Sequence, residues 1–158
     1  MIEVVITILV IALVAAYAIP KLLGPRDSAN DGTAKTSVRA ALTAAETEFA
    51  QNQTYAGLTA TRLNDLEPSI TASDDDPETS AIGPTADAKK VVTLDTADDT
   101  HVVICAASKT GKVFCAKLMP QKATQYYTVT PTGATPADQW TAVWNAADDD
   151  TDPNTTGW

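Results

Sequence analysis

The feature that most constrains this chain is its opening segment, Met1-Ile-Glu-Val-Val-Ile-Thr-Ile-Leu-Val-Ile-Ala-Leu-Val-Ala-Ala-Tyr-Ala-Ile-Pro20. From Val4 to Ile19 only Thr7 and the hydroxyl of Tyr17 interrupt an apolar run. A helix that is apolar at every angle has no single stripe with which to dock on a core, so it must be enclosed on all sides. At about 1.5 Å per residue it is roughly 30 Å long, which suits the hydrocarbon layer of a bilayer or the axis of a helical assembly.

The first nineteen residues hold eleven Ile, Leu and Val. At about −0.3 to −0.6 kcal/mol each in mid-membrane they outweigh the roughly 2.5 to 3.5 kcal/mol cost of one acid. That acid is Glu3, placed where a signal peptide would carry Lys or Arg. An ionisable residue at the head of a membrane-length segment is a functional-site candidate. The plainer alternative is a carboxylate at a helix N-terminus, favoured there by the macrodipole.

An acid near the start, an unbroken aliphatic run and a proline seventeen residues after the acid together resemble the N-terminal helix of type IV pilins and their pseudopilin relatives. Glu3 and Pro20 keep the interval. The resemblance extends through an amphipathic second half-helix to Asn52-Gln-Thr-Tyr-Ala56 and Leu63-Asn-Asp-Leu66, which look like the family's post-helix turn and Leu-x-x-Leu step, so it covers about the first 66 residues. In the family the acid is the fifth residue of the mature chain, after an N-methylated Phe or Met exposed by a prepilin peptidase. Here it is third, so the expectation is that two mature residues precede Met1 or that the start lies in another register.

The resemblance implies an α+β fold of the type IV pilin kind: a long N-terminal helix whose second half packs on a small antiparallel sheet. Residues 1–25 would be membrane anchor and then filament core, and residues 26–158 the globular head. The head divides into an amphipathic helix 31–51, a loop 52–89, a β-meander 90–130 and a tail 131–158. The implied assembly residues are Glu3 and Met1, the carboxylate of one subunit neutralising the terminal amine of a neighbour inside an apolar core. The expected partners are further copies of the chain in a helical homopolymer, the inner membrane before assembly, the pilus assembly machinery and the prepilin peptidase. The location would be a cell-surface filament serving adhesion or motility, with no cofactor and no enzymatic activity. Two alternatives stand beside the pilus subunit: a major pseudopilin of a type II secretion or DNA-uptake machine, and a signal-anchored extracytoplasmic binding domain.

Beyond the rod, 158 residues suit one further domain, and a formal net charge of −9 with a pI near 4.3 argues against a nucleic-acid-binding surface. Pro20, Gly24 and Pro25 fall close together, which predicts a kink or an unwound stretch. Asp31 or Thr33 then caps a second helix. Val38, Ala41, Leu42, Ala45 and Phe49 form its single apolar stripe, opposite a polar face with Lys35, Arg39, Glu46 and Glu48. Residues 68–89 are rich in Pro, Ser, Thr and Asp and read as a loop. Four runs then change the period to that of strands: Lys90 to Leu94, His101 to Ala107, Lys112 to Leu118 and Gln125 to Thr130. Asp138 to Asn145 offers two helical turns that would pin the tail through Trp140 and Trp144.

If Ser108 and Lys112 close a hairpin with Gly111 in the left-handed position, opposed residues sum to 220, and Cys105 faces Cys115. Opposed non-hydrogen-bonded positions lie close enough for a disulfide, which persists outside the cytosol. Other chemistry is thin. His101, the only histidine, lies four residues from Cys105, about 13 Å along a strand, too far for proton transfer. Ser108-Lys-Thr-Gly-Lys112 lacks the first glycine of a phosphate-binding loop, and Pro153 defeats an EF-hand at Asp148, Asp150 and Asp152. A looser calcium site there or at Asp74 to Asp76 stays open, though no metal ligands are assigned. Asn52 and Asn154 begin N-glycosylation triplets. Lys109, Lys112, Lys117 and Lys122 form a candidate basic patch that could meet the acidic tail of a neighbour, each exposed pair adding at most about 1 kcal/mol.

Overall fold

The structure is a computed structural model that describes residues 2–73, 82–95, 101–120, 122–131, 135 and 138–143, with backbone alone at 17–24 and 92–95. Helix α1 spans Ile2–Asn52 and α2 Ala60–Leu66. The strands are β1 Thr71–Ser73, β2 Lys90–Asp95, β3 Val102–Ala107, β4 Val113–Leu118 and β5 Gln125–Val129. They form one five-stranded sheet in sequence order, with β1 parallel to β2 and all other neighbours antiparallel. The class is α+β, as expected, but the sheet is mixed. Its parallel edge strand β1 lies in the stretch that composition assigns to loop, because three residues are too few to show a period.

Helix α1 is continuous. Its 51 residues, about 76 Å at 1.5 Å each, run through both prolines, where the sequence predicts an unwound stretch and a fresh helix capped near Asp31. Each proline removes one helical hydrogen bond, and the residues on either side carry the helix across the gaps. Asp31 and Thr33 are therefore mid-helix. The Thr33 hydroxyl donates to the Ala29 carbonyl at 3.0 Å, and the Asp31 carboxylate is used elsewhere. Helix α1 ends at Gln53, whose φ of 57° is left-handed and whose N–H donates to the Phe49 carbonyl at 2.7 Å.

The predicted stripe does cover the sheet. Ala34, Val38, Ala41, Leu42 and Ala45 are buried against Ile104, Ala106, Phe114 and Leu118, while Phe49 is partly buried and stacks on Tyr55 with ring centroids 4.8 Å apart. Glu48 departs from its expected place on the polar face. Only 3% exposed, it accepts from Arg62 Nε at 2.7 Å and from the Asn52 amide, and so ties α2 back to the end of α1. Asn64 does the same for β1: its amide brackets Ala72, donating to the carbonyl at 3.1 Å and accepting the N–H at 2.7 Å. That side chain satisfies backbone groups an edge strand would leave open.

The second face of the sheet is covered too. Val103, Cys105, Val113, Cys115 and Val129 pack under Trp140 and Val143 of the helical residues 138–143, so β3 and β4 are buried throughout. A sheet apolar on one face only is thus replaced by helix, sheet and a thin outer layer, consistent with the near-continuous apolar run of β3. Trp144 lies outside the described residues.

Candidate functional site

The surface with the most to explain is the first part of α1. Large side chains from Ile2, 77% exposed, to Val14, 62% exposed, stand in solvent around the helix. Thr7 does not relieve this, because its hydroxyl donates to the Glu3 carbonyl at 2.7 Å and leaves the helix outwardly apolar. Glu3, itself exposed, is the single charge on the described side chains of this rod. Scattered surface aliphatics are ordinary, but a contiguous apolar rod of this extent marks an interaction surface.

Among the described residues no helix is long and apolar enough to cross a membrane. The expected membrane span is not found there.

Helix α1 is tied to the turn between β3 and β4 at Asp31. Its carboxylate accepts from Ser108 Oγ and Thr110 Oγ1, both at 2.6 Å, and lies 3.5 Å from Lys112 Nζ. Burial alone would push this carboxyl up, but the two hydroxyls and the lysine charge outweigh it and hold the group below its ordinary value of 3.8. The hairpin that supplies the partners has the expected form. Gly111 is left-handed with φ 86°, Ser108 N–H donates to the Lys112 carbonyl at 2.7 Å, and Val102 pairs with Leu118. Cys105 and Cys115 are opposed and disulfide-bonded, their Cα atoms 4.1 Å apart. Sequence reasoning missed Asp31 as a docking residue; its signal, an acid seventy-seven residues from a Ser-Lys-Thr-Gly-Lys turn, has no local period.

The other candidates are scattered. Met1 and Asn154 lie outside the described residues, as do the aspartates of both loose calcium candidates. Pro20 and Gly24 are described by backbone only, and Pro25 is exposed within α1. The Asn52 amide already donates to the buried Glu48 carboxylate, so a glycan there would replace that contact. The four hairpin lysines make no single patch. Lys117 is buried at 7% exposure, Lys112 turns toward Asp31, and Lys109 and Lys122 sit beyond opposite ends of β4. With Cys105 in a disulfide, His101 has no thiol to activate. Among the described residues no cluster of three His, Cys, Asp or Glu is placed to hold a metal ion.

The chain has no significant match among known protein families, curated proteins or solved structures.

Proposed function

We propose that this protein is the structural subunit of a type IV pilus-like extracellular filament, a homopolymer built through the first part of α1. The observation that carries the proposal is the exposed apolar rod, Ile2 to Val14 at 51% exposure or more, continuous with the helix that forms the core of a disulfide-bonded head. A lone subunit leaves that surface in water, at a cost of about 25 cal/mol per Å² of apolar area. Packing copies side by side along a common axis covers it on all sides. Before assembly the same surface would be sheltered in the inner membrane, from which the pilus assembly machinery would take the subunit after prepilin peptidase processing.

Glu3 then has a defined task. Inside such an axis a carboxylate must meet a cation, and the terminal amine of a neighbouring copy supplies one. A subunit out of register leaves both charges buried and unpaired, so the pair selects one axial position more than it adds stability. In cells, Glu3→Ala should abolish recoverable filaments while the head keeps its disulfide and its unfolding temperature. Wild-type amounts of filament from that variant would rule out the role.

A further inference from the structure

The Cys105–Cys115 disulfide is sealed within the outer layer of the head, with both residues at 0% exposure. We propose that the helical residues 138–143 are a lid that must lift before this disulfide can be exchanged, so that docking of the lid locks a bond the hairpin has already closed. The hairpin needs no help from the lid to close it. Strands β3 and β4 pair from Val102–Leu118 to Ala107–Val113, and that register alone sets Cys105 opposite Cys115. Oxidation therefore comes first, and the outer layer is laid over the finished bond.

Alternation along the strands decides which side of the sheet the sulfurs face. Ile104, Ala106, Phe114 and Ala116 pack with α1, whereas Cys105 and Cys115 belong to the opposite face with Trp140 and Val143. The sheet and α1 together bar approach from behind. On the flank, Tyr127 of β5 directly opposes Cys115 and is 5% exposed, and its hydroxyl donates to Gln125 Oε1 at 2.7 Å, which fixes the ring. Ala86, with Ile82 packed against the same cluster, adds cover from the residues before β2. The rest is Trp140 and Val143, both buried and three residues apart, and so on one face of the lid.

The lid carries its own cap. Asp138 N–H donates to Thr135 Oγ1 at 3.2 Å, while Thr135 returns its N–H at 3.2 Å and its hydroxyl at 2.8 Å to the Asp138 carboxylate. These bonds are internal to the segment and survive when it lifts. An element anchored by two buried side chains opens at a lower free energy than the sheet beneath it. Exchange with a dithiol reductant begins when its thiolate attacks one cysteine sulfur: the S–S bond breaks, and the other cysteine leaves as a thiolate and takes up a proton. The second thiol of the reductant then displaces the first cysteine, leaving two protein thiols and a cyclic disulfide. Attack requires contact with a sulfur, and with the lid down neither sulfur can be reached.

The rate of reduction tests this. Full-length protein in detergent micelles is treated with dithiothreitol in mildly alkaline buffer, and the thiols that appear are trapped with a maleimide and counted by mass. Trp140→Ala loosens the lid, whereas Leu42→Ala, at a buried position on the α1 side of the sheet, weakens the head without touching it. Reduction should be at least about tenfold faster than wild type in Trp140→Ala and within about twofold of wild type in Leu42→Ala. A second measurement needs no variant. In guanidinium below the unfolding transition, the wild-type reduction rate should rise with a shallow slope, because lifting the lid exposes far less surface than unfolding the head. A wild-type rate in Trp140→Ala, equal acceleration in both variants, or a denaturant slope as steep as that of global unfolding would each overturn the lid.

Discussion

Replacing Asp31 with alanine removes the carboxylate that fixes the long helix to the hairpin turn. The side chain is 18% exposed and accepts two hydroxyl hydrogen bonds at 2.6 Å, with Lys112 at 3.5 Å. Hydrogen bonds to a charged group are worth about 1.5 to 3 kcal/mol each in isolation. Two that share one acceptor oxygen do not add fully, and the freed hydroxyls of Ser108 and Thr110 still contact each other at 3.0 Å. A net loss of about 2 kcal/mol is the reasonable expectation. For a chain of this size that lowers the unfolding temperature by about 4 to 8 °C. Lys112→Ala, removing a partner that is 47% exposed, should cost less than about 1 kcal/mol.

The pH dependence separates this clamp from a general packing effect. A folded-state pKa held below 3.8 contributes stability that is fully present above that value and is lost as the pH falls through the lowered one. Thermal unfolding of wild type and Asp31→Ala should therefore differ most at neutral pH and by less in strongly acidic solution. An Asp31→Ala protein as stable as wild type at pH 7, or a difference that grows as acid is added, would refute the clamp.

Other perturbations have definite expected outcomes. Arg62→Ala leaves the Glu48 carboxylate, 4% exposed, without its guanidinium partner, and should cost about 1 to 3 kcal/mol in denaturant unfolding; Glu48→Gln together with Arg62→Ala should recover part of it. Cys105→Ser with Cys115→Ser opens a ten-residue loop and should lower stability by about 3 kcal/mol, read as an earlier guanidinium midpoint.

Much of this architecture can be read from local pattern. The hairpin around Gly111 and its disulfide follow from one turn residue and a sum of positions, and the stripe from Val38 to Phe49 follows from helical spacing. What escapes such reading is contact between distant segments. Asp31 looks like a cap because acids often are, yet its partners lie beyond residue 100. Glu48 looks solvated because it is charged, and only α2, folded back from residue 60 onward, encloses it. Strand β1 has no period to detect, being defined by its pairing with β2 and by the Asn64 amide. The prolines predict a break that the continuous helix does not show, since local penalties of about 3 kcal/mol do not decide a 51-residue element.

The apolar rod is legible in the unbroken run from Val4 to Ile19, and copies of the chain are expected to cover it. Electron microscopy of sheared cell-surface material, labelled with an antibody raised against the head, tests it most directly. Long filaments decorated along their length are expected. Label found only on monomers, with residues 2–16 protected inside the subunit's own fold, would contradict it.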